Sequence, residues 1–309
     1  MAAERTHLTI GTRGSKLALW QSEYIGARVA ELTGLPVEIK IIKTTGDKIL
    51  DVPLSKVGGK GLFTKEIEVE LEAGTVDLAV HSMKDVPTQL PDGLVIAAMP
   101  QRVDPRDAIV SGAGYTLATL PAGGRVGTSS LRRVSQVRAL RPDVEIVDVR
   151  GNLDTRMRKA ETGEVDAVIL AAAGITRMGW ADRITHYVPT AQMVSAVGQG
   201  AIGIEIRESD EFMQDVCRRL ADADTMTCVA AERVVMRTLE GGCQVPIAGY
   251  AQWQAATLSM IGRVSSLDGR EMITQHMQGS TTDPVSLGRR LAHALLDQGA
   301  QRILQQPGT

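Results

Sequence analysis

A single thiol, Cys243, stands in the run Leu239-Glu240-Gly241-Gly242-Cys243-Gln244-Val245-Pro246-Ile247. The apolar period from Met226 to Leu239 predicts a helix ahead of it. Gly241 and Gly242 supply a stop, because glycine enters the left-handed region at little cost. Pro246 keeps the helix from resuming. The loop so formed presents the thiol with no side chain crowding it on the N-terminal side. A thiolate is the strongest nucleophile among ordinary side chains near neutral pH, so Cys243 is a candidate for covalent chemistry. A small buried cysteine beside a helix cap fits the same residues, and the local pattern does not choose between the two.

A second cluster is His81-Ser82-Met83-Lys84-Asp85-Val86-Pro87, directly after the apolar strand predicted over Val76 to Val80. Polar residues at the carboxyl end of a buried strand are where open α/β sheets place their ligand sites. Asp85 suits an acid or base, with Lys84 tuning it. A plain βα turn with a solvated ion pair is the alternative. His81 reads as a satisfied core histidine and receives no catalytic role.

A third group is cationic. Arg132, Arg133, Arg150, Arg156 and Arg177 fall near predicted strand ends or first turns of helices. The planar fork of arginine matches carboxylate and phosphate oxygens in pairs. Thr128-Ser129-Ser130 adds hydroxyls and unpaired N–H groups at a helix start, and Arg13 with Ser15 repeats the theme near residue 10. This pattern points to a cleft for a small polyanion, with solvated helix faces as the competing account.

Composition narrows the classes. The chain has 309 residues, 43% hydrophobic and 23% charged, enough for two or three globular domains. Only 3% is aromatic and the net charge is −2, which argues against nucleic-acid and membrane-surface binding. Cys217, Cys228 and Cys243 lie in no metal-ligand spacing, so no metal is expected. No secretory segment follows Met1 and no apolar run approaches the roughly 20 residues that span a bilayer, so a cytoplasmic home is expected.

The elements that position these groups alternate. A strand over residues 7–10 leads to a helix from Leu17 to Leu32, capped by Ser15 and closed by Gly34. A strand over 36–43, a Gly/Lys-rich loop over 44–61 containing Lys60, and a helix over 62–73 follow. After a strand at 94–99, the charged, proline-containing stretch 100–107 reads as a domain crossing. Alternation resumes with strands ending at Gly127, Val149 and Ala171 and helices over 131–140 and 152–161. Residues 191–200 read as a second crossing, and 201–206 as a strand returning to the first sheet. Helices over 211–221 and 226–239, three strands over 247–253, 257–264 and 271–278, and a closing helix over 285–304 complete the chain.

Several stretches, taken together, resemble the porphobilinogen deaminase (hydroxymethylbilane synthase) family. They include Lys56-Val57-Gly58-Gly59-Lys60-Gly61-Leu62-Phe63, residues 80–87, Asp104-Pro105-Arg106-Asp107, residues 126–133, Arg150-Gly151-Asn152, residues 196–201 and Leu239 to Ile247. The resemblance implies an α/β fold with two lobes like those of type II periplasmic binding proteins plus a small α+β C-terminal domain. The expected limits are 1–100 with 201–219 for the first lobe, 101–200 for the second, and 220–309 for the domain carrying Cys243. Gly14 and Lys16 depart from the family, which often has bulkier or proline residues there.

The resemblance also implies a reaction. Four porphobilinogen molecules condense head to tail with loss of ammonia, on a covalent dipyrromethane primer, one per chain, giving hydroxymethylbilane. It assigns catalysis to Asp85 and the primer's thioether to Cys243. Ser82, Lys84, Thr128, Ser129, Ser130, Arg132, Arg133, Arg150 and Gly151 match positions on the cofactor side. Arg13, Ser15, Lys60, Arg156, Arg177 and Gln199 match positions on the substrate side. Every pyrrole carries an acetate and a propionate, so an arginine-lined cleft between lobes suits the growing chain, with hinges at 100–107 and 194–200. A monomer acting on this small molecule, with neither nucleic acid nor membrane as partner, is expected. A non-catalytic two-lobed protein that binds or senses a small anion is the alternative, and it leaves Cys243 without a purpose. A cysteine hydrolase would need a histidine base, and none of the five histidines is a recognisable partner.

Overall fold

The computed structural model describes residues 5–48, 61–239, 245–280 and 283–305. The chain separates into two compact units, residues 1–102 with 201–226 and residues 103–200 with 227–309.

The first unit is built on a five-stranded sheet in the order β2-β1-β3-β10-β4. Its strands are β1 (Leu8–Thr12), β2 (Val37–Ile41), β3 (Leu78–Ser82), β4 (Leu94–Ala98) and β10 (Ile202–Arg207). β1 runs parallel to β2 and β3, whereas β10 runs antiparallel to β3 and β4. Strand side chains alternate between two cores, as the period of two requires. Leu8, Ile10, Leu78, Val80, Ile204 and Ile206 pack with Ile25 and Val29 of helix Lys16–Thr33 and Met213 and Val216 of helix Glu211–Leu220. Ala79 faces the other way, with Ile67 and Leu71 of helix Lys65–Glu72. Isoleucines as fully buried as Ile10 and Ile25 are worth about 2–5 kcal/mol each relative to alanine.

The second unit holds two sheets. The order of the first is β7-β6-β8-β5-β9, with β5 (Asp107–Val110), β6 (Arg125–Gly127), β7 (Glu145–Val147), β8 (Ala167–Ala171) and β9 (His186–Val188). β6 is parallel to β7 and β8, and β5 is antiparallel to β8 and β9. Both five-stranded sheets therefore share one plan: second, first, third, a reversed strand, fourth. In each, the reversed strand is the one reached by a crossing of the chain. This is the mixed α/β class that the resemblance implied.

The C-terminal sheet is an antiparallel meander of β11 (Ile247–Gln254), β12 (Thr257–Ser265) and β13 (Met272–Gly279). One face packs on helices Ala223–Thr238, Pro284–Asp297 and Ala300–Leu304, through Ala251, Leu258, Met260, Val264, Val235, Leu287, Leu291 and Leu295. Cys228 belongs to this core and Cys217 to that of the first unit.

Two expectations change, and two strands are added. β5 overlaps the expected crossing only at Asp107, and β9 lies in a stretch to which no element was assigned; strands of four and three residues are too short to show alternation. A six-residue helix, Ala172–Arg177, follows β8, which places Arg177 in a last helical turn rather than at a strand end or first turn. The closing helix is two helices, because Gly299 has φ 93°, a left-handed conformation that ends one and starts the other.

Candidate active site

In the first unit, β1 and β3 are parallel neighbours, so the segments that leave them share one sheet edge. After β1, Arg13-Gly14-Ser15 turns into helix 16–33. The Ser15 hydroxyl accepts from the Ala18 N–H, and Gly34 closes the helix at φ 72°, as expected. Gly14 is exposed and Ser15 caps normally beside it, so the departure at Gly14 leaves the local frame intact. Arg13 is held on two sides. Its Nε donates to Asp47 at 3.1 Å, its Nη2 donates at 2.5 Å, and the guanidinium lies 4.1 Å from the Phe63 ring centroid. Burial would raise the Asp47 carboxyl, but hydrogen bonds from Arg13 and Thr44 and the charge of Arg13 hold it below its ordinary value.

After β3, residues Met83–Asp85 make one 3₁₀ turn. Met83 and Val86 are buried and the Met83 N–H donates to Ala201 O at 3.1 Å, so the turn is pinned from below. Met83 lies over Gly203 of β10, leaving no room for a Cβ there. Lys84 and Asp85, on the other side, stay half-buried. The Asp85 carboxylate makes no hydrogen bond or ion pair with a described residue, so its charge is available to a ligand. Ser82 exchanges hydrogen bonds with the buried Gln21, 3.0 Å from Nε2 and 3.3 Å to Oε1. His81 is buried with its Nε2 2.8 Å from Glu205 Oε2, the satisfied core histidine expected.

In the second unit, β6, β7 and β8 deliver their carboxyl ends to one edge. The Thr128 N–H donates to Val147 O at 2.9 Å and the Ser129 hydroxyl to Val149 O at 2.7 Å. Ser130 occupies the cap position of helix Leu131–Leu140 without a side-chain cap bond. Gly151 has φ 107°, and Arg156 Nε donates to its carbonyl at 2.8 Å. Arg177 Nη2 donates to Gly200 O at 2.8 Å.

β5 runs against β8, so Asp107, its first residue, lies opposite Ala171 at this same edge. There it meets the arginines. Arg132 and Arg133 are each 5% exposed and Asp107 is fully buried. Arg133 donates to Asp107 Oδ1 from Nη2 at 2.7 Å, and Gln199 Nε2 donates to the same oxygen at 3.0 Å. Burial would raise the Asp107 carboxyl, yet the charges of Arg132 and Arg133, with hydrogen bonds from Arg132 and Gln199, hold it well below the usual carboxylate range. Two guanidinium groups on one carboxylate leave a net positive charge inside the unit.

Residues 8–215 match the family model described as porphobilinogen deaminase, dipyrromethane cofactor binding domain, and residues 226–297 match the porphobilinogen deaminase C-terminal domain. The chain belongs to the porphobilinogen deaminase family. A curated porphobilinogen deaminase of Syntrophobacter fumaroxidans is 56% identical over 300 residues, 97% of each chain. One of Syntrophus aciditrophicus is 52% identical, over 96% of this chain and 98% of the relative. Among solved structures, the methionine binding protein MetQ covers 74% of this chain at 14% identity with TM-score 0.44, too loose a likeness to carry an argument.

Lys60 and Cys243, the two remaining expected members of this porphobilinogen deaminase-family site, lie outside the described residues. Gln21, Asp47 and Asp107 were not expected there. Asp107 stands inside a stretch that carries the family resemblance, which was the signal available, and Gln21 lies in the first predicted helix. Cys217 is no rival nucleophile, since burial, with a smaller contribution from Asp210, pushes its thiol up to about 12. Among the described residues, no group of three or more His, Cys, Asp or Glu could hold a metal ion. Among them also, no helix is long and apolar enough to cross a membrane.

Proposed function

We propose that the chain is a porphobilinogen deaminase, a transferase that condenses four porphobilinogen molecules head to tail into hydroxymethylbilane and releases ammonia. The observation that carries the reading is Asp85, a carboxylate that pairs with no described residue, held on a pinned turn at the carboxyl edge of the first unit's sheet. Ammonia loss from porphobilinogen leaves positive charge on a pyrrole ring and its N–H. An ionised carboxylate accepts that N–H and stabilises the charge, and no described cation competes for it. The same oxygen suits removal of the ring proton afterwards.

The family's cofactor fits the residues present. Dipyrromethane, when bound, supplies an open pyrrole carbon that takes the first incoming ring. Its carboxylates call for cations and hydroxyls, and the Arg132–Arg133–Asp107 set keeps a net positive charge. On this reading Arg132, Arg133, Arg150, Lys84, Ser82, Gly151 and the hydroxyls of Thr128, Ser129 and Ser130 hold the cofactor. Arg13, Ser15, Lys60, Arg156, Arg177 and Gln199 hold the substrate, and Cys243 anchors the cofactor as a thioether. We read residues 1–100 with 201–219, 101–200 and 220–309 as three functional parts. The chain acts as a cytoplasmic monomer without nucleic-acid or membrane partners, in keeping with its net charge of −2 and few aromatics.

Two measurements test this. The purified chain should weigh two pyrrole units more than its sequence, and Cys243→Ser should lose the excess. Asp85→Ala should fold and keep the excess mass, yet turn over porphobilinogen slower by on the order of a hundred- to a thousandfold. Turnover near the wild-type rate in Asp85→Ala would remove the catalytic assignment.

A further inference from the structure

Arg263, on β12, is a buried guanidinium whose acceptors are all neutral. Its Nε donates to Thr274 Oγ1 at 2.9 Å. Its Nη1 donates to Gln136 Oε1 and to Gln192 O, both at 2.8 Å, and its Nη2 to Ala191 O at 3.3 Å. It is 8% exposed and makes no ion pair with a described residue. Burial pushes its pKa below the ordinary value, yet a guanidinium stays charged at any physiological pH. A buried cation without an anion is a poor stabiliser, so holding the sheet in place does not by itself account for it.

Its neighbours lead to the arginine pair. Gln136 lies in the middle of helix 131–140, whose first turn carries Arg132 and Arg133. Gln136 Oε1 also accepts from the Val194 N–H at 2.8 Å, and its Nε2 donates to Val194 O at 3.1 Å. Arg132 Nη1 donates to that same Val194 O at 2.7 Å and to Asp107 Oδ2 at 2.7 Å. Arg263, Gln136, Val194, Arg132, Asp107 and Arg133 thus form one continuous buried network within the second unit. It holds three cations and one carboxylate. In a low-dielectric interior that excess reaches further than surface charge does.

We propose that Arg263 is a positioning residue for the anion-binding arginines. From the C-terminal sheet it fixes Gln136 and the 191–194 backbone against which Arg132 is aligned, and it adds positive charge to the field that a carboxylate-bearing substrate meets. The proposal rests on the reading of function above, in which Arg132 holds the carboxylate-bearing cofactor onto which each substrate molecule is joined.

The test is steady-state kinetics of the holoenzyme with porphobilinogen, alongside melting temperature, for Arg263→Gln and Arg263→Lys. Arg263→Gln should keep a melting temperature near wild type, since the lost hydrogen bonds are offset by losing an uncompensated charge. Its KM should rise on the order of tenfold with kcat much less affected. Arg263→Lys keeps the charge but cannot span four acceptors, so its KM should fall between the two. Should Arg263→Gln not fold, Arg263→Lys decides alone: a severalfold rise in KM supports the proposal and a wild-type KM overturns it. A lower melting temperature with unchanged KM in both variants marks a merely structural role and overturns it too. A wild-type chain that does not turn over porphobilinogen overturns both readings, whereas an active wild type with unaffected variants overturns this one alone.

Discussion

Arg132 grips Asp107 with both of its terminal nitrogens, Nη1 to Oδ2 at 2.7 Å and Nη2 to Oδ1 at 3.1 Å, in a place water does not reach. Arg133 shares Oδ1, so one carboxylate organises two arginines that the sequence assigns to anion binding. The relationship exists because β5 is reversed: its first residue is carried to the edge where β6 and β8 end.

Asp107→Asn should therefore cost far more than a surface charge change. It keeps the shape but takes away the carboxylate that two buried guanidinium groups share, a change that typically costs about 3–5 kcal/mol. Denaturant unfolding of wild type and variant measures it, and a loss below about 1 kcal/mol would mean that other groups neutralise the pair. The pH dependence has a definite sign. The folded carboxyl titrates below its unfolded value, so its contribution is complete above the unfolded pKa of about 4 and fades as pH falls toward the folded one. Wild type should lose stability steeply below about pH 4, and Asp107→Asn should show a shallower decline there.

Glu68 predicts the opposite trend. Its side chain is buried on helix 65–72, and one of its oxygens has no hydrogen-bond partner among the described residues. Burial raises its carboxyl, the nearby Glu205 charge adds to the rise, and Thr64 and His81 only partly oppose it. A raised carboxyl favours the folded state while protonated, and that advantage disappears as pH climbs from the unfolded pKa through the folded one. Glu68→Gln, neutral throughout, should gain on wild type as pH rises from about 4 to 8. Melting temperatures across that range check it, and a difference independent of pH would show that Glu68 titrates normally.

How much of this was legible in the sequence depended on how local the cause was. Ser15 and Gly34 bound their helix as expected, since a cap is decided within a few residues. The return of residues 202–207 to the first sheet was legible from the count of strand–helix blocks on either side of two crossings. β5 was not: four residues, all buried, show no alternation, and Asp107 looked like part of a charged hinge. Its partners Ala171 and Val188 are distant in the chain, and only their pairing gives the carboxylate its purpose. The Gln21–Ser82 pair illustrates the same limit, since one lies in a predicted helix and the other in the polar cluster after β3, and nothing local joins them. Arg177 was expected at a strand end, and the short helix after β8 carried it a turn and a half further, to Gly200 O.

Gly151 offers a test in which backbone and site move together. Its φ of 107° lies where side chains are strongly disfavoured, and a Cβ there would meet Thr155 Cγ2 at 2.9 Å and Thr155 Cβ at 3.0 Å. The neighbouring atoms belong to the first turn of helix Leu153–Glu161, so they cannot retreat without moving that turn. Gly151→Ala should thus cost about 1–3 kcal/mol, a drop of several degrees in melting temperature. The shift should also disturb Arg156, whose Nε is held by the Gly151 carbonyl, and Arg150 beside it. Weaker hold on a carboxylate-bearing substrate should appear as a raised KM at temperatures where the variant is fully folded. Thr155→Ser relieves one contact by removing Cγ2, and in combination with Gly151→Ala it should recover part of the melting temperature. Failure to recover any would place the cost in the backbone conformation alone, and an unchanged KM would separate this turn from substrate binding.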